Sequence, residues 1–197
     1  MRPWTLIVPR AILLAGLLAA DAMPAMHEFT GQAMHMRIVV YVVGVGVIPA
    51  WWLATRERTV GVTPVPYPLA ADLFLLVPFF FDLTGNSFHL YARVDNYDDA
   101  AHLVGVASLT LCGAALLPRT LDPAVRATMA AGGGVFLGVM IELVEWVAFS
   151  HPVATGYVAY RDTVGDLAMD ALGCVAAGVV VAWPAIAGGT RAVRSLR

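Results

Sequence analysis

Seven residues in the second half of this chain carry side chains that together could hold a metal ion or move protons: Asp98, His102, Glu142, Glu145, Asp162, Asp166 and Asp170. Residues three or four apart share one side of an α-helix. Asp98 and His102 are i and i+4, Glu142 and Glu145 are i and i+3, and Asp162, Asp166 and Asp170 run i, i+4, i+8. The stripes border or enter long apolar runs. A carboxylate at membrane depth costs roughly 2.5–3.5 kcal/mol on insertion scales, so such stripes face a bundle interior and pair with something. Carboxylate oxygens suit Mg²⁺, Ca²⁺ or Mn²⁺, and the imidazole of His102 tilts the choice toward Mn, Fe or Zn. Asp98, His102, Glu142, Asp166 and Asp170 are the candidate metal ligands, and Glu145 or Asp162 the candidate general base. Asp82, Asn86, Tyr97, Asp99 and Thr163 are further pocket residues on the same polar face. Crowded carboxylates raise one another's pKa, so shared protons are the alternative to a cation.

The elements that must position these residues are membrane helices. The chain has 197 residues, 59% of them hydrophobic and only 13% charged, against about 25% charged in soluble domains. A span needs about 20 mostly apolar residues, and six stretches come close: about 5–22, 37–54, 67–84, 100–117, 127–149 and 166–187. The expectation is a single all-α domain, a polytopic bundle of about six transmembrane helices. The first stretch also resembles a signal peptide, with Arg2 and Arg10 before a run ending in small residues. Nothing suggests a second domain.

Arginine placement orients the bundle, because short cytoplasmic loops collect basic residues. There is no lysine; nine arginines (Arg2, Arg10, Arg56, Arg58, Arg119, Arg126, Arg191, Arg194, Arg197) fall on one side and three (Arg37, Arg93, Arg161) on the other. Both termini are therefore expected inside. Of fourteen acids only Glu57, Asp72 and Asp122 then lie inward, while all five histidines lie outward.

Structural readings compete with the chemical one. Asp98 can cap a helix and Asp99 can favour its dipole; Asp162 can cap an early turn, Asp95 suits a solvated loop, and His102 alone would be a packing residue. Glu142, Asp166 and Asp170 could form interhelical salt bridges. Eight acids nevertheless occupy the cluster (Asp82, Asp98, Asp99, Glu142, Glu145, Asp162, Asp166, Asp170) against three outer arginines, so at least five need another solution.

Other signals are weaker. Met23, Met26, His27, Met34, His35 and Met36 form a Met/His loop of copper-binding type, unless the methionines simply pack at helix ends. Cys112 and Cys174 lie in apolar runs at different expected depths, which reads as packing rather than a disulfide. Gly134 and Gly138, and Gly173 with Ala177, have the spacing of close helix contacts. Trp51, Trp52, Tyr157 and Tyr160 read as interfacial anchors. No phosphate loop, GxSxG, HExxH or basic stripe for nucleic acid is present.

Three motifs together resemble the YjdF-like family of bacterial inner-membrane proteins: Asn96-Tyr97-Asp98 with His102, Glu142-Leu143-Val144-Glu145-Trp146, and Asp162-Thr163 with Asp166 and Ala171-Leu172-Gly173. The likeness runs from about Asp82 to Gly173, and a fainter one links the chain to VanZ-like membrane proteins. It implies a multi-pass protein of the bacterial cytoplasmic membrane. It places the site at Tyr97, Asp98, His102, Glu142, Glu145, Trp146, Asp162, Thr163 and Asp166, and supplies no activity. Asp99 departs from the pattern, which often has a basic residue there, and the Met/His loop is not a feature of that family.

The expected function is a divalent-metal site, open at the outer face, acting on a lipid or envelope-linked substrate. The alternatives are a transporter or proton-coupled carrier, or an accessory subunit of a membrane complex, with copper handling behind them. A transport path would need acids in the inner half, where only Asp72 is available.

Overall fold

In a computed structural model, residues 4–22, 34–56, 66–149 and 157–195 are described. They form α1 (Trp4–Ala22), α2 (Met34–Arg56), α3 (Leu69–Ser87), the single turn α4 (Leu90–Arg93), α5 (Tyr97–Leu116), α6 (Pro123–Phe149) and α7 (Tyr157–Ser195), with no strand among them. Helix is the element that satisfies its own backbone polar groups, the condition for crossing hydrocarbon. Five helices, α2, α3, α5, α6 and α7, are long and apolar enough to cross a membrane; α1 contributes a shorter apolar stretch, Ile7–Ala19.

Four helices begin three or more residues before the apolar runs suggest: α2 at Met34 rather than 37, α5 at Tyr97 rather than 100, α6 at Pro123 rather than 127, and α7 at Tyr157 rather than 166. An apolar run marks only the lipid-facing length of a helix, and these helices continue into their polar ends. At α6 the cause is local. Asp122 Oδ1 accepts from the backbone N–H groups of Ala124 (2.8 Å) and Val125 (3.3 Å), and Pro123 takes the first helical position, where its missing N–H costs nothing. Neither Asp98 nor Asp162, for which helix capping is the competing reading, stands at the start of its helix. The residue before α5 is Asn96, left-handed at φ 61° with no side-chain cap, so Asp98 and Asp99 stand inside the first turn. Asp162 lies in the second turn of α7.

The bundle is built on α5, which packs against α3, α6 and α7; α6 and α7 pack together, and α1 and α2 lean on α3. Small residues bring α5 and α7 close. A Cβ on Gly173 would stand 3.1 Å from the backbone N of Ala107 and would collide with the carbonyl of Leu103. In lipid, where apolar burial drives little association, such close backbone approach is what holds helices together. Leu13, Leu17, Tyr41, Val45, Leu76 and Leu83 join α1, α2 and α3; Ala114, Ala127, Ala130 and Val181 join α5, α6 and α7. Cys112 packs near Ile48 and Ala71, while Cys174 accepts the Thr110 hydroxyl at 3.4 Å; both thiols are free and buried. Trp51 and Tyr160 are exposed, and Trp52 stands edge-on to Tyr67 at 5.3 Å.

Candidate metal centre

His102, one turn into α5, is the point where α5, α6 and α7 meet. Its Nδ1 lies 3.2 Å from Asp170 Oδ1 and 3.8 Å from Glu142 Oε1. Its Nε2 lies 4.0 Å from Asp98 Oδ1 and 4.0 Å from Asp166 Oδ1. The ring therefore has two faces with different company. The i, i+4 spacings of the sequence place Asp98 beside His102 on α5, and Asp166 beside Asp170 on α7.

His102, Glu142, Asp166 and Asp170 are buried, whereas the Asp98 side chain is 50% exposed. Two sets of ligand atoms lie within 4.8 Å of one another: Asp98, His102 and Asp166, and His102, Glu142 and Glu145. Both share the imidazole. Asp170 belongs to neither set and meets the ring from behind, on Nδ1. Glu142 Oε1 and Asp170 Oδ2 are buried without a hydrogen-bond partner among the described residues. An orphaned buried acceptor costs about 1–3 kcal/mol, more when charged, so these oxygens mark a place where a cation or a proton would be stabilised.

Glycines make room for this arrangement. A Cβ on Gly138 of α6 would stand 2.9 Å from Asp170 Cγ, and one on Gly134 would stand 2.7 Å from Cys174 Sγ. The GxxxG spacing thus lets α6 close over the acidic face of α7.

The remaining sequence candidates divide. Thr163 is exposed. Asp99 faces Gly165 of α7, where a Cβ would lie 3.9 Å from Asp99 Oδ1. Asp162 is exposed. Tyr97 is a packing residue: its hydroxyl donates to the Phe81 carbonyl (3.1 Å), and its ring stacks on Phe81 and meets Tyr91 edge-on. Asp82 and Asn86 form a separate network. Arg37 donates to both Asp82 oxygens (2.7 and 3.0 Å), Tyr41 donates to Asp82 Oδ2 (2.8 Å), and Asn86 donates to Asp82 Oδ1 (2.8 Å). Asp72, the inward acid, is fully buried and paired with Arg10, so it does not extend the His102 cluster. Met23, Met26 and His27 lie outside the described residues. Met34, His35 and Met36 open α2, with side chains outside the description.

The two networks share a cavity of about 430 Å³ between α2, α3, α5 and α6. Arg37, Tyr41, Asp82 and Tyr91 lie at one side of its polar end, with Asp98, His102 and Glu145 at the other; the rest of the lining is apolar apart from backbone. Of the buried cluster, His102 alone reaches the cavity, while Asp166, Asp170 and Glu142 stand behind it. Reading the sequence for acids missed Tyr41, Tyr91 and the pairing of Arg37, because their significance lies in contacts between distant segments.

No protein-family model, curated protein or solved structure matches the chain. The chemistry therefore has to be argued from the membrane-type helical fold and its buried His/Asp/Glu cluster.

Proposed function

We propose that this membrane protein holds one divalent cation at His102 and uses it on a lipid or envelope-linked substrate at the outer leaflet. The observation that carries the reading is the two-sided environment of His102, with Asp98 and Asp166 at Nε2 and Asp170 at Nδ1. With the ring proton on Nδ1 donated to Asp170, the Nε2 lone pair is free to ligate, the usual way a second carboxylate fixes a metal-binding histidine. Glu142 and Glu145 of α6 form a second set of ligand atoms with the same imidazole.

Charge supports a cation. One imidazole faces five carboxylates (Asp98, Glu142, Glu145, Asp166 and Asp170), and Arg37 is bonded to Asp82. A mixed oxygen and nitrogen set favours Mn, Fe or Zn over Ca²⁺. A bound divalent ion supplies Lewis-acid polarisation. Of the two candidate bases, Glu145 lines the cavity and Asp162 does not, which favours Glu145 as the base.

The test is elemental analysis of the purified protein beside a Glu142→Gln/Asp166→Asn variant, which removes one donor from each ligand set. Near-stoichiometric divalent metal in the wild type, lost in the variant, is the expected result. No metal in either, despite saturating supply, would overturn the metal site and turn the reading toward protonated carboxylates in a transport or accessory role.

A further inference from the structure

The cavity beside the cluster extends along the helices away from its polar end. From Glu145 to Leu137, both in its lining, α6 advances eight residues, about 12 Å at 1.5 Å per residue. That length is most of one leaflet's share of a hydrocarbon core about 30 Å thick. Leu75, Leu109 and Met140 lie along it, and Gly105 of α5 and Pro78 of α3 form part of its floor. A volume of about 430 Å³ falls within the range of small-ligand sites, roughly 300–1,000 Å³.

The sides of the cavity decide what can enter. The α3–α5 seam is the floor, and α2 and α6 are the walls: α2 packs on α1 and α3, whereas α6 packs on α5 and α7. The rims are apolar and open. Val40 of α2 is 45% exposed, and Val144 and Leu137 of α6 are 42% and 41% exposed, although all three line the cavity. In a bundle whose α2 and α6 are both long and apolar enough to cross the membrane, an apolar rim at this level meets lipid chains, not water.

We propose that one acyl chain of a bilayer phospholipid enters this cavity sideways between α2 and α6, which brings its ester and headgroup region against Asp98, His102 and Glu145. The substrate of the centre is then a phospholipid taken directly from its leaflet. Chain binding rests on the cavity alone; the role of the polar end rests on the metal reading above.

The experiment uses the full chain in vesicles of phosphatidylglycerol containing a tracer of the same lipid with a diazirine midway along one chain. Adducts are mapped after illumination, and metal content is measured on the same preparations. The expected adducts fall on Leu109 and Met140 as well as on the outward residues Val175 and Val180. Gly105→Leu and Leu137→Trp fill the cavity from floor and wall; Gly105 has space, since its Cβ would meet Pro78 at 3.6 Å, and Leu137 is a rim residue. Either variant should lose the Leu109 adduct and keep those at Val175. Adducts confined to outward residues, a Leu109 adduct that survives both variants, or chain-to-chain crosslinks at the rim in place of lipid adducts would overturn the proposal. Cavity adducts on a protein free of metal would leave chain binding standing and remove the metal centre; bound metal without cavity adducts would do the reverse.

Discussion

Asp170 Oδ1 lies 3.2 Å from His102 Nδ1, and the other ring nitrogen faces Asp98 and Asp166. By sequence, Asp170 is one more ligand in an i, i+4, i+8 stripe; in the fold it is the residue behind the histidine. Orienting carboxylates of this kind typically contribute 10–100-fold in metal affinity. Asp170→Asn should therefore weaken metal binding by about that factor while preserving a site, whereas Asp166→Ala should abolish it. Metal titration of the two variants separates the roles. Equal loss in both would make Asp170 a ligand, and wild-type affinity in Asp170→Asn would remove the orienting role.

Gly138 should affect the same site without supplying a donor. A Cβ there would stand 2.9 Å from Asp170 Cγ, so Gly138→Ala must push the carboxylate or separate α6 from α7. Overpacking of this size costs about 1–3 kcal/mol. The expected result is a lower melting temperature together with weakened metal binding. Gly132→Ala is the control, because nothing lies within 4 Å of its Cβ position. If Gly138→Ala binds metal as tightly as Gly132→Ala, Asp170 is not held by this contact.

These contacts also show what the sequence could and could not carry. Long apolar runs disclose helices, because hydrocarbon imposes one length scale; all five long spans overlap their expected stretches. The i, i+4 pairs disclose which acids share a face, and His102 does meet Asp98 and Asp166. Which ring nitrogen meets which acid is set by the rotation of α7 about its axis, and that depends on Gly173 fitting under Leu103. Asp82 looked like a cluster member because it lies near a helix end with the others. Its attachment to Arg37 and Tyr41, more than 40 residues away, is a matter of how α2 leans on α3. α5 and α7 start before their apolar runs for a related reason: the apolar signal fades where Asp98, Asp99 and Asp162 begin, although the backbone there remains helical.

The two ion pairs should differ in what they contribute. Arg10–Asp72 joins α1 to α3 with the carboxylate wholly buried, while Arg37–Asp82 keeps 17% and 28% side-chain exposure. Breaking a buried pair leaves an uncompensated charge and costs about 3–5 kcal/mol. Arg10→Ala should approach that cost, whereas the more exposed Arg37→Ala should cost less. Equilibrium unfolding in mixed micelles of the two single variants, with Arg10→Ala/Asp72→Ala to close a cycle, measures both. Equal losses from Arg10→Ala and Arg37→Ala would mean that burial at Asp72 does not set the difference.

The outward opening of the centre is a prediction from charge alone, and so it can be tested without knowing the substrate. Arg119 and Arg126 flank the α5–α6 turn, and basic residues near membrane-crossing ends are retained inside. Asp95, just before α5, lies at the opposite end of that helix and is exposed. A cysteine introduced at Asp95, with Cys112 and Cys174 replaced by alanine, should react with a membrane-impermeant maleimide in intact cells. A cysteine at exposed Arg119 should react only after the membrane is opened. The reverse pattern would turn His102 and the cavity mouth toward the cytoplasm. The substrate would then have to be sought in the inner leaflet, although the geometry of the cluster would be unchanged.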